Sequence, residues 1–200
     1  MSAVDRRKQI VRAAAQSFTL YGYKATTMEQ VAKIANVGKG TIYTFFSNKE
    51  QLFDEILKRV VSEMKLLAEG KIDRKRTFFE NLFAVLDALL EFRDEHELFI
   101  KLSQEVRDVG TVKAMEGLAM LERVILEYLE KEITYALDHE EIGSCDPQVA
   151  AFVMLRLYIA LTSEFKQIRE PLGRDEIHRY FRLFLADGLA NPKCESYQHT

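Results

Sequence analysis

Two lysines and four hydroxyls crowd into VGKGTIYTFFSNKEQLF, residues 37–53. They are Lys39, Thr41, Tyr43, Thr44, Ser47 and Lys49, with Gly38 and Gly40 flanking the first lysine. Such groups donate hydrogen bonds, and the lysines carry charge, so the chemistry on offer is the capture of an anion. Catalytic and metal chemistry find no comparable grouping. His96, His139, His178 and His199 lack HExxH or HxH spacing, and no GxSxG, phosphate loop or dinucleotide fingerprint occurs. Asp138, Glu140 and Glu141 read as a solvated acidic loop. No catalytic residue, metal site or cofactor is expected, and the chain does not read as an enzyme.

Short helices must position those donors. Ile10, Ala14, Phe18 and Tyr21 step by three and four, which predicts a helix over 5–21 that Gly22 stops. Thr26 and Glu29 have capping-box spacing, so a second helix should begin near Thr27, with Val31, Ile34 and Ala35 on one side. Asn36 and Gly38 mark a tight turn. A third helix over 39–46 would bury Ile42 and Phe46 and show Lys39, Thr41, Tyr43 and Thr44. Ser47 and Glu50 repeat the capping-box spacing and open a longer helix ending near Gly70.

Net charge is −3 over 200 residues, but it is unevenly spread. Residues 1–51 hold eight basic and three acidic side chains, a net +5, and the remainder is −8. A basic front on an acidic body points to a polyanion partner for the front alone. Cys145 and Cys194 form no CxxC or Cys/His cluster, which suggests a reduced, cytoplasmic protein. No signal-peptide pattern opens the chain, and its longest apolar run, 149–161, carries Arg156 and falls short of the ~18 residues of a membrane span.

Three short helices joined by a tight turn make a helix-turn-helix. Its third helix can enter a DNA major groove if the outer face is small or polar. Gly40 removes a side chain where the helix start would crowd the sugar-phosphate backbone. The helix N-terminus offers free N–H groups to phosphate. Lys49 and Thr27 can reach flanking phosphates. TTMEQVAKIANVGKGTIYTFFSNKEQLF resembles the DNA-binding region of the tetracycline-repressor (TetR) family of bacterial transcription regulators, over about residues 8–55. Thr27, Val31, Ala32, Val37, Lys39, Gly40, Thr41, Ile42, Tyr43, Phe46, Asn48, Lys49, Glu50 and Leu52 match its pattern. Gly38 stands where serine is common and Phe45 where histidine or tyrosine is common. The resemblance implies that Thr27, Lys39, Tyr43 and Lys49 hold phosphates and that Thr41 and Thr44 approach base edges.

The rest is helical in pattern, so the expected fold class is all-α. A helix-turn-helix domain over 1–47 precedes a helical ligand-binding and dimerisation domain over 48–190 and a polar tail over 191–200. Helices are expected over 77–92 and 98–106, then one long helix or two bent near Gly117, and then a helix capped by Asp146 with Pro147 at its first position. Phe79, Phe83, Phe99, Met120 and Tyr128 could line an apolar ligand cavity, although such spacing also describes plain core. The last two helices are apolar on more than one side. They could be central core, or, as in similar proteins, a four-helix dimer interface using Phe152, Leu155, Ile159, Tyr180 and Phe184. The expected function is a repressor that binds a palindromic operator as a homodimer. A small apolar effector that shifts helix 48–69 would release it. The alternative is a regulator controlled by a protein partner.

Overall fold

Thr27 accepts a hydrogen bond from the Gln30 N–H at 3.2 Å and starts the second helix one residue later than a Thr26 cap would. Thr26 is wholly buried instead. Its hydroxyl donates to the Gly22 carbonyl at 2.9 Å and lies 3.1 Å from the Ser17 hydroxyl. The Ser47–Glu50 box slips in the same way. Asn48 accepts from the Gln51 N–H at 2.8 Å, and Gln51 accepts from the Ser47 N–H at 3.2 Å. The spacing signal is satisfied equally well by the next residue along, and burial of Thr26 decides between the two registers at α2.

The computed structural model describes residues 3–92, 101, 105 and 110–187. Among these the elements are α1 (Ala3–Ala25), α2 (Met28–Ile34), α3 (Lys39–Phe45), α4 (Lys49–Lys71), α5 (Phe78–Glu91), α6 (Val112–Asp138), α7 (Pro147–Ile159) and α8 (Arg174–Phe181). No strand occurs among the described residues. The helix expected over 98–106, apart from Lys101 and Glu105, lies outside them, as do Phe99 and the tail 191–200. The fold is all-α, with an N-terminal helix-turn-helix and a helical C-terminal part.

The chain divides into two compact units. The first joins residues 1–66 to 92–122, and the second joins 67–91 to 123–200. Ile10, Phe18, Ile42, Leu52, Phe53 and Ile56 are at most 1% exposed and form the centre of the first core. The Phe53 ring meets Phe18 edge-on at 5.1 Å and Tyr23 at 4.8 Å. Gly117 sits against this cluster. A methyl group there would come within 2.9 Å of both Phe53 and Leu57, so the glycine permits close approach and α6 runs through it without ending. The alternative of two helices bent at that position is not the one adopted.

Gly22 does interrupt the first helix, at φ 79° and ψ 174°, but helical structure resumes as far as Ala25. The kink turns the N–H groups of Tyr23 and Lys24 toward the buried carboxylate of Glu105, which accepts both and the Thr111 hydroxyl as well. Gln9 donates to the Ala35 carbonyl at 2.7 Å and ties α1 to the end of α2. The turn that follows uses Asn36 at φ 50°, a backbone region that asparagine tolerates.

The second core gathers Phe78, Leu86, Ile133, Ala136, Met154, Ile177 and Phe181. Asp146 caps α7 through the N–H groups of Gln148 and Val149, with Pro147 next, as expected. Helical structure continues past α7 through a wider π-type turn, Ala160–Glu164, and a tight one, Phe165–Gln167. The whole run Pro147–Gln167 has 21 residues and holds an 18-residue window of mean hydropathy 1.3, long and apolar enough by composition to cross a membrane. The apolar stretch 149–161, interrupted by Arg156, is shorter than the helical run that contains it. Within the chain, 33% of that apolar window is buried.

Candidate nucleic-acid interface

The outer face of α3 is small and polar because its inner face is fully used. Ile42 is 0% exposed and Phe46, at the cap, 2%. That leaves Lys39, Gly40, Tyr43 and Thr44 exposed and Thr41 half-buried. Gly38 precedes the helix without a side-chain cap, so the first N–H groups of α3 have no side-chain acceptor there. Gly40 has open space on all sides, and a methyl group added to it would meet nothing within 4 Å. The protein's own packing therefore places no steric demand for glycine there. Thr44 donates to the Thr41 carbonyl at 2.7 Å, which fixes the orientation of its hydroxyl.

The two lysines are held differently. Lys49 donates to the Tyr23 carbonyl at 2.9 Å and lies 4.3 Å from the centre of the Tyr23 ring. Both contacts fix its direction without cancelling its charge. Tyr23 in turn donates its hydroxyl to Glu50 at 2.7 Å, which holds the Glu50 carboxyl below the usual carboxylate range. Lys39 instead forms an ion pair with Glu29 at 2.6 Å. That hydrogen bond lowers the Glu29 pKa and raises that of Lys39. Thr27 is spent first on capping α2. Tyr23 and Glu29 were not among the expected site residues, because both reach their partners across turns that no helical spacing encodes.

Of the residues expected to line a ligand cavity, Phe99 lies outside the described residues. Met120 belongs to the first unit, while Phe79, Phe83 and Tyr128 belong to the second. Phe79 packs edge-on to Phe78 at 5.3 Å, and Phe83 stacks on His178 at 5.2 Å, so both serve the second core. Tyr128 lines a cavity in that unit, of about 50 Å³, beside Arg74, Leu82, Leu129, Glu132 and Tyr135. One wall is an ion pair, with Arg74 forking onto Glu132 at 2.7 and 3.0 Å and lying 4.1 Å over the Tyr135 ring. The Tyr128 hydroxyl is buried with no hydrogen-bond partner among the described residues, and burial, with Glu132 next, pushes its pKa up to about 12.

The expected dimer residues also separate. Leu155 and Ile159 are buried by their own chain, at 4% and 6% exposure. The inward stripe of α7 runs through Ala151, Met154, Leu155 and Ile159. Phe152 and Phe184 stay exposed, at 49% and 58%, and Tyr180 is half-buried. Val149, Val153 and Leu183 add to the exposed apolar surface.

Residues 10–56 match the family described as bacterial regulatory proteins, tetR family. An uncharacterised HTH-type transcriptional regulator of Bacillus subtilis (strain 168), YhgD, is 46% identical over 188 residues, covering 94% of this chain and 98% of that protein. The chain belongs to the TetR family. It is a helix-turn-helix transcriptional regulator that binds DNA, and its relatives are regulators rather than enzymes. Over 67 residues it is also 36% identical to the "Probable acrEF/envCD operon repressor" of Escherichia coli (strain K12), covering 34% of this chain and 30% of that one. The reduced form of E. coli NemR superposes with a TM-score of 0.75 at 19% identity, covering 90% of this chain and 96% of NemR, which is a likeness of fold.

Proposed function

We propose that this TetR-family regulator is a cytoplasmic repressor that binds a palindromic operator as a homodimer. The functional division is a DNA-binding part over 1–47 and an effector and dimerisation part over 48–190. Thr27, Lys39, Tyr43 and Lys49 hold phosphates, Gly40 lets the backbone approach, and Thr41 and Thr44 meet base edges. The observation that carries this is Gly40, exposed with no neighbour of its own to exclude a side chain, on a helix whose outward groups are donors. Footprinting the protein on the DNA upstream of its own gene tests the reading. Lys49→Ala should weaken binding across sequences and flatten its salt dependence by a slope of about 0.9. Thr44→Ala should change preference at particular bases. Binding by both variants that matches the parent on every sequence sinks the assignment.

Pairing supplies two recognition helices about 34–36 Å apart, the spacing of successive major grooves. The exposed Val149, Phe152, Val153, Leu183 and Phe184 support it, since single apolar residues on a surface are ordinary but a group of large ones calls for a cover. Phe152→Glu with Phe184→Glu should leave a folded monomer by sedimentation and a weakened operator complex. An unchanged dimer places the interface elsewhere.

For control, an effector lodges in the second unit and shifts α4, whose residues belong to both units. Such coupling requires different effector affinity in the two states. A cavity of about 50 Å³ with an ion pair in its wall favours a second reading, control by a protein partner, because drug-sized ligands occupy about 300–1,000 Å³. Operator affinity with and without candidate small molecules separates the two.

A further inference from the structure

The surface read as DNA-facing carries an acid, Glu29, whose position is hard to reconcile with its surroundings. Glu29 lies in the first turn of α2, exposed, and its carboxylate sits 2.6 Å from the ammonium of Lys39 at the first position of α3. Both side chains are open to solvent, at 54% and 67% exposure. An exposed pair of this kind stabilises a fold very little. Nor is it needed to join α2 to α3, since the turn is closed by backbone hydrogen bonds from Asn36 to Lys33 and from Val37 to Ala32. The pair does have an electrostatic effect. It cancels the charge of the one lysine on α3, and it sets a carboxylate beside any phosphate that lysine would reach.

We propose that Glu29 is a built-in competitor for Lys39, standing in for a DNA phosphate in the free protein, so that binding exchanges one carboxylate for one phosphate. The inference rests on the reading that α3 faces DNA. The contrast with Lys49 supports it. Lys49 is tethered to a carbonyl and an aromatic face, not hydrogen-bonded to a carboxylate as Lys39 is. Lys39 must leave an anion first. Glu29 therefore lowers affinity for all duplexes alike, because phosphate contacts carry no sequence information. The ratio of operator to non-operator affinity is therefore unchanged, and what Glu29 lowers is the absolute occupancy of non-specific duplexes.

The test uses the full chain and a fluorescent duplex of arbitrary sequence, with affinity followed by anisotropy from roughly 50 to 200 mM salt. Parent, Glu29→Gln, Lys39→Gln and the double variant are compared, with thermal unfolding as a check on folding. Glu29→Gln should bind about two- to five-fold more tightly, the range that release of an exposed ion pair allows. Its salt slope should steepen by up to about 0.9, one further phosphate neutralised. Lys39→Gln should weaken binding, and in that background Glu29→Gln should lose most of its gain. Weaker or unchanged binding by Glu29→Gln, while Lys39→Gln still weakens it, overturns the competitor role and leaves the interface standing. A gain of the same size with and without Lys39 also overturns it, because the carboxylate would then act by simple repulsion. Should Lys39→Gln and Lys49→Ala both bind like the parent, the underlying placement of α3 on DNA fails instead.

Discussion

Gly22→Ala is expected to cost about 2–5 kcal/mol of stability and to weaken DNA binding, although residue 22 lies on no recognition surface. Two effects combine. The backbone there sits at φ 79° and ψ 174°, a region that side chains avoid at about 1–3 kcal/mol. A methyl group would also approach the Glu105 carboxylate at 2.5 Å. A free side-chain end could swing aside cheaply, but this one is held by the N–H groups of Tyr23 and Lys24 and by the Thr111 hydroxyl. Displacing it leaves the buried Tyr23 N–H without an acceptor, at about 1–3 kcal/mol. Tyr23 also carries the carbonyl that fixes Lys49, so the disturbance reaches the residue proposed to hold a phosphate. Urea unfolding read beside duplex affinity checks both parts. A midpoint within error of the parent would show that the kink is not under constraint.

Phe53→Ala should destabilise the protein by about 3–5 kcal/mol, a large share of the roughly 5–15 kcal/mol available to a folded domain. Phe53 is 0% exposed and lies at the meeting of α1, α4 and α6, where its ring contacts Phe18 and Tyr23 and closes over Gly117. Both the lost burial and the cavity left behind contribute. The variant offers an internal control. Gly117→Ala alone drives a methyl into Phe53 and Leu57, and overpacking of this kind costs about 1–3 kcal/mol. Combined with Phe53→Ala, the collision with the ring is gone and only that with Leu57 remains, so the pair should be less destabilising than the sum of the two. Strict additivity in denaturant titrations would mean that the ring and the glycine do not pack as described.

The helices of the first fifty residues were legible because their signals are local. Ile42 and Phe46 fall one turn apart and are both buried, and further along Asp146-Pro147 opens α7 as its residue types require. Local signals failed wherever two neighbouring residues satisfied the same rule. Thr26 and Thr27 both sit ahead of a residue that can complete a cap three positions on, and only the burial of Thr26 against Ser17 and Gly22 chose between them. Helical spacing likewise made Phe152 and Leu155 equivalent candidates for an interface, and the packing of α7 separated them into an exposed and a buried residue.

The order of helix types, the cationic front on an acidic body and the family itself were determined by the chain of letters alone, since each depends on composition or on neighbours a few positions away. Only the tertiary structure decided that Lys39 meets Glu29, that Lys49 rests on Tyr23 and that Glu105 reaches back 82 residues to Tyr23 beside the Gly22 kink. Those partners are chosen by where turns bring helices together, and a turn redirects the chain by an angle that periodicity does not record.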